Sequence, residues 1–198
     1  APLTDLRSRY APFLEDMAPS LPSRRISVRL NDFYWRKESA EDRKDFYLAA
    51  KGEGSWQKVS IPHYGPPLGE AVTLYRSKFI ITSDMLRKGA VFLRFKGVDY
   101  KAQVFVNGKF CGSHEGVFAP FELNVQNEVR LGEDTLLVKV ENDYPMGGHV
   151  GDDGRKFGGD KIYAATGPGY DDPLLGWHHN PPAMGIYQDV VLEARSDL

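Results

Sequence analysis

Short apolar runs separated by turn formers dominate this chain, and most of them alternate apolar with polar residues at a period of two, the pattern of strands buried on one face. After Pro22 the alternation predicts strands at Ile26 to Leu30, Phe33 to Arg36, Phe46 to Ala49, Trp56 to Ile61, Leu74 to Ile81 and Val91 to Lys96. The sharpest local signal follows. Ala102 to Val106 and Lys109 to Ser113 flank Asn107-Gly108, the dipeptide best suited to the positive dihedrals of a type I′ hairpin turn. In that register Val104 faces Cys111 and Phe105 faces Phe110. Phe118 to Val125 and Thr135 to Glu141, the latter preceded by the turn-like Leu131-Gly132-Glu133-Asp134, extend the series, and Asp189 to Ala194 closes it. The opening residues differ: Leu6, Tyr10, Phe13, Leu14 and Met17 fall near helical spacing behind a candidate Thr4 cap. Pro12 interrupts them, so a short helical lead-in is expected within residues 1–25.

Many short strands with tight turns, and no helices long enough for parallel crossovers, favour an all-β sandwich of two sheets over an α/β fold. At 198 residues the chain is long enough for one substantial core, placed here in a single domain at 26–198. Charge narrows the partners. With 25 basic against 27 acidic side chains and no dense basic run, nothing attracts phosphate backbones or anionic lipid, so neither nucleic acid nor a membrane surface is expected. No apolar stretch reaches the roughly 18 residues of a spanning helix. The single cysteine, Cys111, allows no internal disulfide and no cysteine-rich metal site, so the sequence does not encode a compartment.

Between Asn142 and Tyr187 the alternation stops. This long loop region is dense in Gly, Asp, Pro and His, and it carries Tyr144, Phe157, Tyr163, Tyr170 and Trp177. Loops of such length inside a compact domain are usually functional or disordered, and the aromatic content argues against disorder.

The run from Leu93 to Lys109, continued by Gly112-Ser113-His114-Glu115-Gly116 and Pro120-Phe121-Glu122, resembles the N-terminal sugar-binding domain of glycoside hydrolase family 2, which includes β-galactosidases, β-glucuronidases and β-mannosidases. Trp56, Val59, Ile61-Pro62-His63, Tyr75-Arg76, Asp134-Thr135-Leu136, Glu141-Asn142 and the closing Gly185-Ile186-Tyr187-Gln188-Asp189-Val190 extend the likeness over most of residues 56 to 194. The resemblance implies a jelly-roll β-sandwich of the galactose-binding-like type. It also implies a following immunoglobulin-like domain and a (β/α)₈ barrel that holds two catalytic glutamates. A barrel of about 250 residues has no room here, so the chain is expected to be one domain of a larger exo-acting, retaining hydrolase, without catalysis or cofactor of its own.

Retaining glycosidases need two carboxyl groups about 5 Å apart. Asp152-Asp153 and Asp171-Asp172 are sequence neighbours, which point oppositely in extended chain, so they read as solvated loop carboxylates. Sugar recognition asks instead for an aromatic face against the C–H side of the ring and polar groups for its hydroxyls. Tyr170, Asp171, Asp172, Trp177, His178, His179 and Asn180 supply both within one short span. By the resemblance, the segment before Gly185 approaches the barrel's pocket, and the polar position that meets the terminal sugar falls close to His179, where the family has an acid. Packing of Trp177 onto a neighbouring domain or the sandwich edge is the alternative. Metal readings of His178-His179 and of Asp152-Asp153 with Asp160 lack convergent spacing. Trp35, Trp56, Tyr75 and Phe95 are expected between the sheets, and Cys111 as a small core residue. Arg76 and Glu115 could each pin a loop or line an interdomain face. Two other classes of function remain open: an independent carbohydrate-binding, lectin-like module, and a purely structural contact domain.

Overall fold

The computed structural model describes residues 8–11, 25–65, 71–116, 118–142 and 184–196. Within the lead-in, residues 8–11 form a helical turn, α1. Two antiparallel sheets follow. The first has four strands in the order β1 (Ile26–Leu30), β10 (Val190–Arg195), β5 (Ala90–Phe95) and β8 (Phe121–Asn124). The second has six, in the order β3 (Gln57–Ser60), β2 (Asp32–Lys37), β4 (Ala71–Ile81), β9 (Gly132–Asn142), β6 (Lys101–Val106) and β7 (Lys109–Glu115). Three short helices lie outside the sheets: α2 (Ala40–Lys44), α3 (Phe46–Lys51) and α4 (Ser83–Leu86).

The period-two pattern places the core between the sheets. In β6, Ala102, Val104 and Val106 are fully buried while Lys101, Gln103 and Phe105 turn to the other face. Phe33, Tyr75, Leu93, Phe95, Val138 and Leu192 join them in one apolar cluster. The Asn107-Gly108 turn forms as expected, with φ of 51° and 78°. Asn107 is also a structural tie: its Nδ2 donates to Glu128 O at 2.9 Å and to the buried Asp134 carboxylate at 2.6 Å. Asp134 in turn accepts the Arg130 N–H.

Several expectations change. Phe46–Ala49 is helix, not strand. Asp45 caps α3 by accepting the Tyr47 N–H, and Gly52 ends it in the left-handed conformation at φ 84°. Phe46, Ala49 and Ala50 thus share one face at i, i+3, i+4 spacing, and this face packs on Leu74, Leu137 and Phe105 on the outer side of the six-stranded sheet. Trp56 belongs to that outer cluster and not to the space between the sheets. The Arg36 guanidinium lies over its ring at 4.3 Å and reaches Asp42 at 2.5 Å and Glu53 O at 2.8 Å. Trp35, Tyr75 and Phe95 do pack in the main core. In the hairpin, a register shift after Val104 pairs Val104 with Gly112, so Cys111 sits at the irregularity and not opposite Val104. Cys111 is half-buried against the core, and desolvation pushes its thiol up to about 11. Strand β8 begins at Phe121, three residues later than the alternation predicts. Arg76 packs against Gly52, where a Cβ would stand 2.8 Å from its guanidinium carbon, and Glu115 pairs with Lys101 at 3.7 Å.

Leu74 is sealed beneath α3, so Leu74→Ala should lower unfolding free energy in urea by about 2–5 kcal/mol. Tyr34→Ala, on an exposed position of the same sheet, should change it by no more than about 0.5 kcal/mol. Equal effects would contradict a closed outer core.

Candidate functional site

The seven sugar-site candidates, Tyr170, Asp171, Asp172, Trp177, His178, His179 and Asn180, lie outside the described residues, as do Asp152, Asp153 and Asp160. The structure does describe the end of the sandwich from which residues 143–183 depart and to which they return. At that end Met184 to Asp189 runs between two other pieces of chain. On one side His63 N donates to Ile186 O at 2.8 Å, while Gly65 and Met184 exchange bonds at 3.2 and 3.1 Å. On the other, Asp99 N donates to Gly185 O at 2.9 Å, Gly185 N to Asp99 O at 3.3 Å, and Lys96 N to Asp189 O at 3.0 Å. Residues 63–65 continue from β3 of the six-stranded sheet, and residues 96–99 leave β5 of the four-stranded sheet. One backbone segment therefore ties the two sheets together.

Gly185 makes this possible. Its φ is 142°, and a Cβ there would stand 2.3 Å from the His63 carbonyl oxygen and 2.7 Å from Tyr75 Oη. At Gly97 a Cβ would stand 2.6 Å from the Tyr187 ring, a side-chain contact and not a backbone one.

Polar and aromatic side chains cluster around the tie. Tyr75 Oη lies 2.7 Å from His63 Nδ1. Burial pushes the Tyr75 phenol far above its ordinary range, against the opposing pull of the Ile186 N–H, which donates to the same oxygen. The buried Trp35 indole N–H approaches that oxygen without a well-formed hydrogen bond. The phenol's own proton is then free to go to His63 Nδ1, which suits a neutral imidazole, and burial lowers the His63 pKa in the same sense. Tyr64 Oη donates to the fully buried Asp99 carboxylate at 3.0 Å. Burial first, and then the Asp99 charge, raise the Tyr64 phenol far above its usual value; the same two causes raise Tyr187, whose ring meets that of Tyr64 at 6.0 Å. His63, Tyr64 and Tyr187 are half-buried, so aromatic edges and hydrogen-bonding atoms line the base of the departing segment. His63 and Tyr187 stand in motifs carried by the family likeness and Tyr64 does not, and their meeting was not readable, because the backbone bridges join residues 63–65, 99 and 184–186, which lie far apart in the chain. Phenols held protonated and an imidazole held neutral can donate and accept hydrogen bonds and offer ring faces. They form no acid and nucleophile pair.

This arrangement defines a galactose-binding-like β-sandwich with an elaborated end, and sequence comparison agrees. Residues 67–161 match a family model described as glycosyl hydrolase 2 galactose-binding domain-like. A β-galactosidase of Thermoanaerobacter pseudethanolicus is 32% identical over 57% of this chain and 17% of its own length. A β-glucuronidase of Formosa agariphila is 27% identical over 89% of this chain and 18% of its own. Among solved structures, a β-glucuronidase of an uncultured Clostridium species superposes with a TM-score of 0.64 at 19% identity, covering 90% of this chain and 30% of that one. By these matches the chain is similar to the N-terminal galactose-binding-like domain of glycoside hydrolase family 2. It spans under a fifth of the length of these two curated relatives, which continue far beyond the matched region.

Gly185→Ala should destabilise the domain by more than about 2 kcal/mol in urea unfolding, because it combines a strained φ with contact against backbone; a near-neutral effect would contradict the tie. A second expectation concerns pH. The His63 pKa is lowered on folding, so below its ordinary value of 6.5 the unfolded chain takes up a proton that the folded chain resists. Stability should therefore fall as pH drops through and below 6.5, and His63→Gln should flatten that slope, read from urea midpoints between pH 5 and 8. An unchanged slope would place the titration elsewhere.

Proposed function

We propose that this chain is the non-catalytic front module of an exo-acting, retaining β-glycosidase, acting as scaffold for a catalytic barrel and as one wall of its pocket. The observation that carries the reading is the tie at Gly185. It anchors the return of residues 143–183 to both sheets, giving an aromatic segment a firm base from which to face a neighbouring domain or ligand. The relatives' names, β-galactosidase and β-glucuronidase, support the reaction class. In the proposal, Trp177 and Tyr170 offer ring faces to the terminal sugar, while Asp171, Asp172, His178, His179 and Asn180 bond its hydroxyls. The double displacement takes place on two carboxyl groups of the barrel, and an immunoglobulin-like domain lies between. The module lends position and selectivity, holding the sugar so that little freedom is left to lose at the transition state.

Incubated with nitrophenyl β-galactoside, β-glucuronide and β-mannoside, the 198-residue chain should give no turnover above blank. Repeatable turnover abolished by changing Asp171 or Asp172 would overthrow the reading. Micromolar glycan binding lost on Trp177→Ala would favour an independent lectin-like module, since half of a shared pocket lacks the contacts for such affinity.

A further inference from the structure

The hairpin turn at Asn107-Gly108 is held by more than its own dihedrals. Asn107 N donates to Thr135 O at 2.9 Å, and Thr135 N donates back to the Asn107 side-chain Oδ1 at 3.1 Å. Asn107 Nδ2 carries two hydrogens and uses both, on Glu128 O at 2.9 Å and on Asp134 Oδ1 at 2.6 Å. One carboxamide thus fastens the tip of β6 and β7 to the turn at residues 126–128 and to the start of β9. Its acidic partner is deep: Asp134 is 1% exposed, and its Oδ2 accepts the Arg130 N–H at 2.9 Å. The charged group that faces this carboxylate is the Arg130 guanidinium, 4.0 Å from Oδ1, while Glu128 turns its carbonyl to the same place.

The same dipeptide carries a latent reaction. Glycine has no Cβ to shield the peptide nitrogen that follows an asparagine side chain. Gly108 N, once its proton has passed to water or hydroxide, can attack Asn107 Cγ. A bond forms between Gly108 N and Cγ, the Cγ–Nδ2 bond breaks, and Nδ2 takes a proton from water and leaves as ammonia. Water then opens one of the two C–N bonds of the resulting five-membered imide, leaving aspartate or isoaspartate at position 107. Water is the one co-reactant.

Folding opposes the first step. Attack needs a carboxamide free to turn and to lose its planarity at Cγ, whereas here both Nδ2 hydrogens and Oδ1 are engaged. Departure of Nδ2 would also strip a donor from Asp134, at a depth where an unpaired carboxylate oxygen is costly. We propose that Asn107 is a deamidation site closed by folding and opened when the hairpin tip comes loose from residues 128–135, so that its product records such openings. A carboxylate at position 107 faces the Asp134 carboxylate where a donor stood, and like charges so close disfavour ionisation of both. The modified tip therefore closes less readily than the original. This chemistry belongs to the hairpin alone and needs neither a sugar nor a second domain.

The test is incubation of the 198-residue chain at pH 8, in buffer and in urea above its unfolding midpoint, with the peptide that contains Asn107 followed by mass spectrometry after digestion. In urea the peptide should gain the mass of deamidation and show isoaspartate. In buffer the reaction should be slower by about tenfold or more, because it waits on local opening. Asp134→Ala, which frees one Nδ2 hydrogen, should speed the reaction in buffer while its circular dichroism stays that of the folded chain, and should leave the rate in urea unchanged. Asn107→Asp should lower the urea midpoint more at pH 8 than at pH 5, relative to the unchanged chain. The sign follows because folding raises the pKa of one member of the carboxylate pair, so stability is lost as pH rises through that raised value. Asn107→Ala should lower the midpoint equally at both. Equal rates in buffer and in urea would overturn the inference, and so would an Asn107→Asp chain whose loss of stability is the same at both pH values.

Discussion

Two sheets of a sandwich attract each other through apolar area alone, which fixes neither their ends nor the loops that leave them. In this chain the missing constraint is a backbone one. Met184 to Asp189 bonds to residues 63–65 on one side and to residues 96–99 on the other, and the approach is so close that only a glycine fits at 185. Polar backbone groups at this depth need partners, and each sheet supplies them to the same segment. The tie also gathers His63, Tyr64, Tyr75, Asp99 and Tyr187 around one point, where burial raises the pKa of the phenols and lowers that of the imidazole, and the Asp99 charge adds to the rise at Tyr64 and Tyr187.

Much of the sandwich was legible because period-two alternation is a direct consequence of strand geometry with one buried face. Ten of the eleven runs marked by alternation are strands, with starts shifted by three residues at β4, β8 and β9, and the Asn107-Gly108 turn took the left-handed dihedrals its residues favour. The failures have local causes. Phe46 to Ala49 contains too few residues to separate a strand from a helix by apolar pattern. The deciding signals were the flanking caps, Asp45 and Gly52, and likewise Ser39-x-x-Asp42 for α2. The hairpin register failed at a single irregularity, where Gly112 lies against Leu123 and displaces Cys111 from the pairing. Trp56 was assigned to the wrong side because nothing in a strand pattern announces a second, smaller core beneath helices on the outer face.

The candidate site was legible in kind more than in place. Aromatic and polar residues at 170–180 announced sugar-like chemistry, and the motif around Gly185 announced the family. What sequence order concealed was the long-range meeting of three chain segments at the base of that loop, and the polar rows on the opposite side of the six-stranded sheet. Those rows come from cross-strand neighbours such as Lys139, Gln103 and Ser113, far apart in the chain and adjacent only in the register. The two surfaces differ in character. At the end of the sandwich residues 184–189 are bonded to both sheets, while the outer face sets Lys139, Gln103 and Ser113 side by side next to the helices α2 and α3.

Native-state hydrogen exchange of the His63, Gly65, Asp99, Met184 and Gly185 amides tests the central constraint most directly, because each donates a bond in the tie. If the tie holds the two sheets together, these five amides should exchange as slowly as those of β4 and β9, through global unfolding. Exchange at the rate of exposed turns, with β4 and β9 still protected, would contradict it.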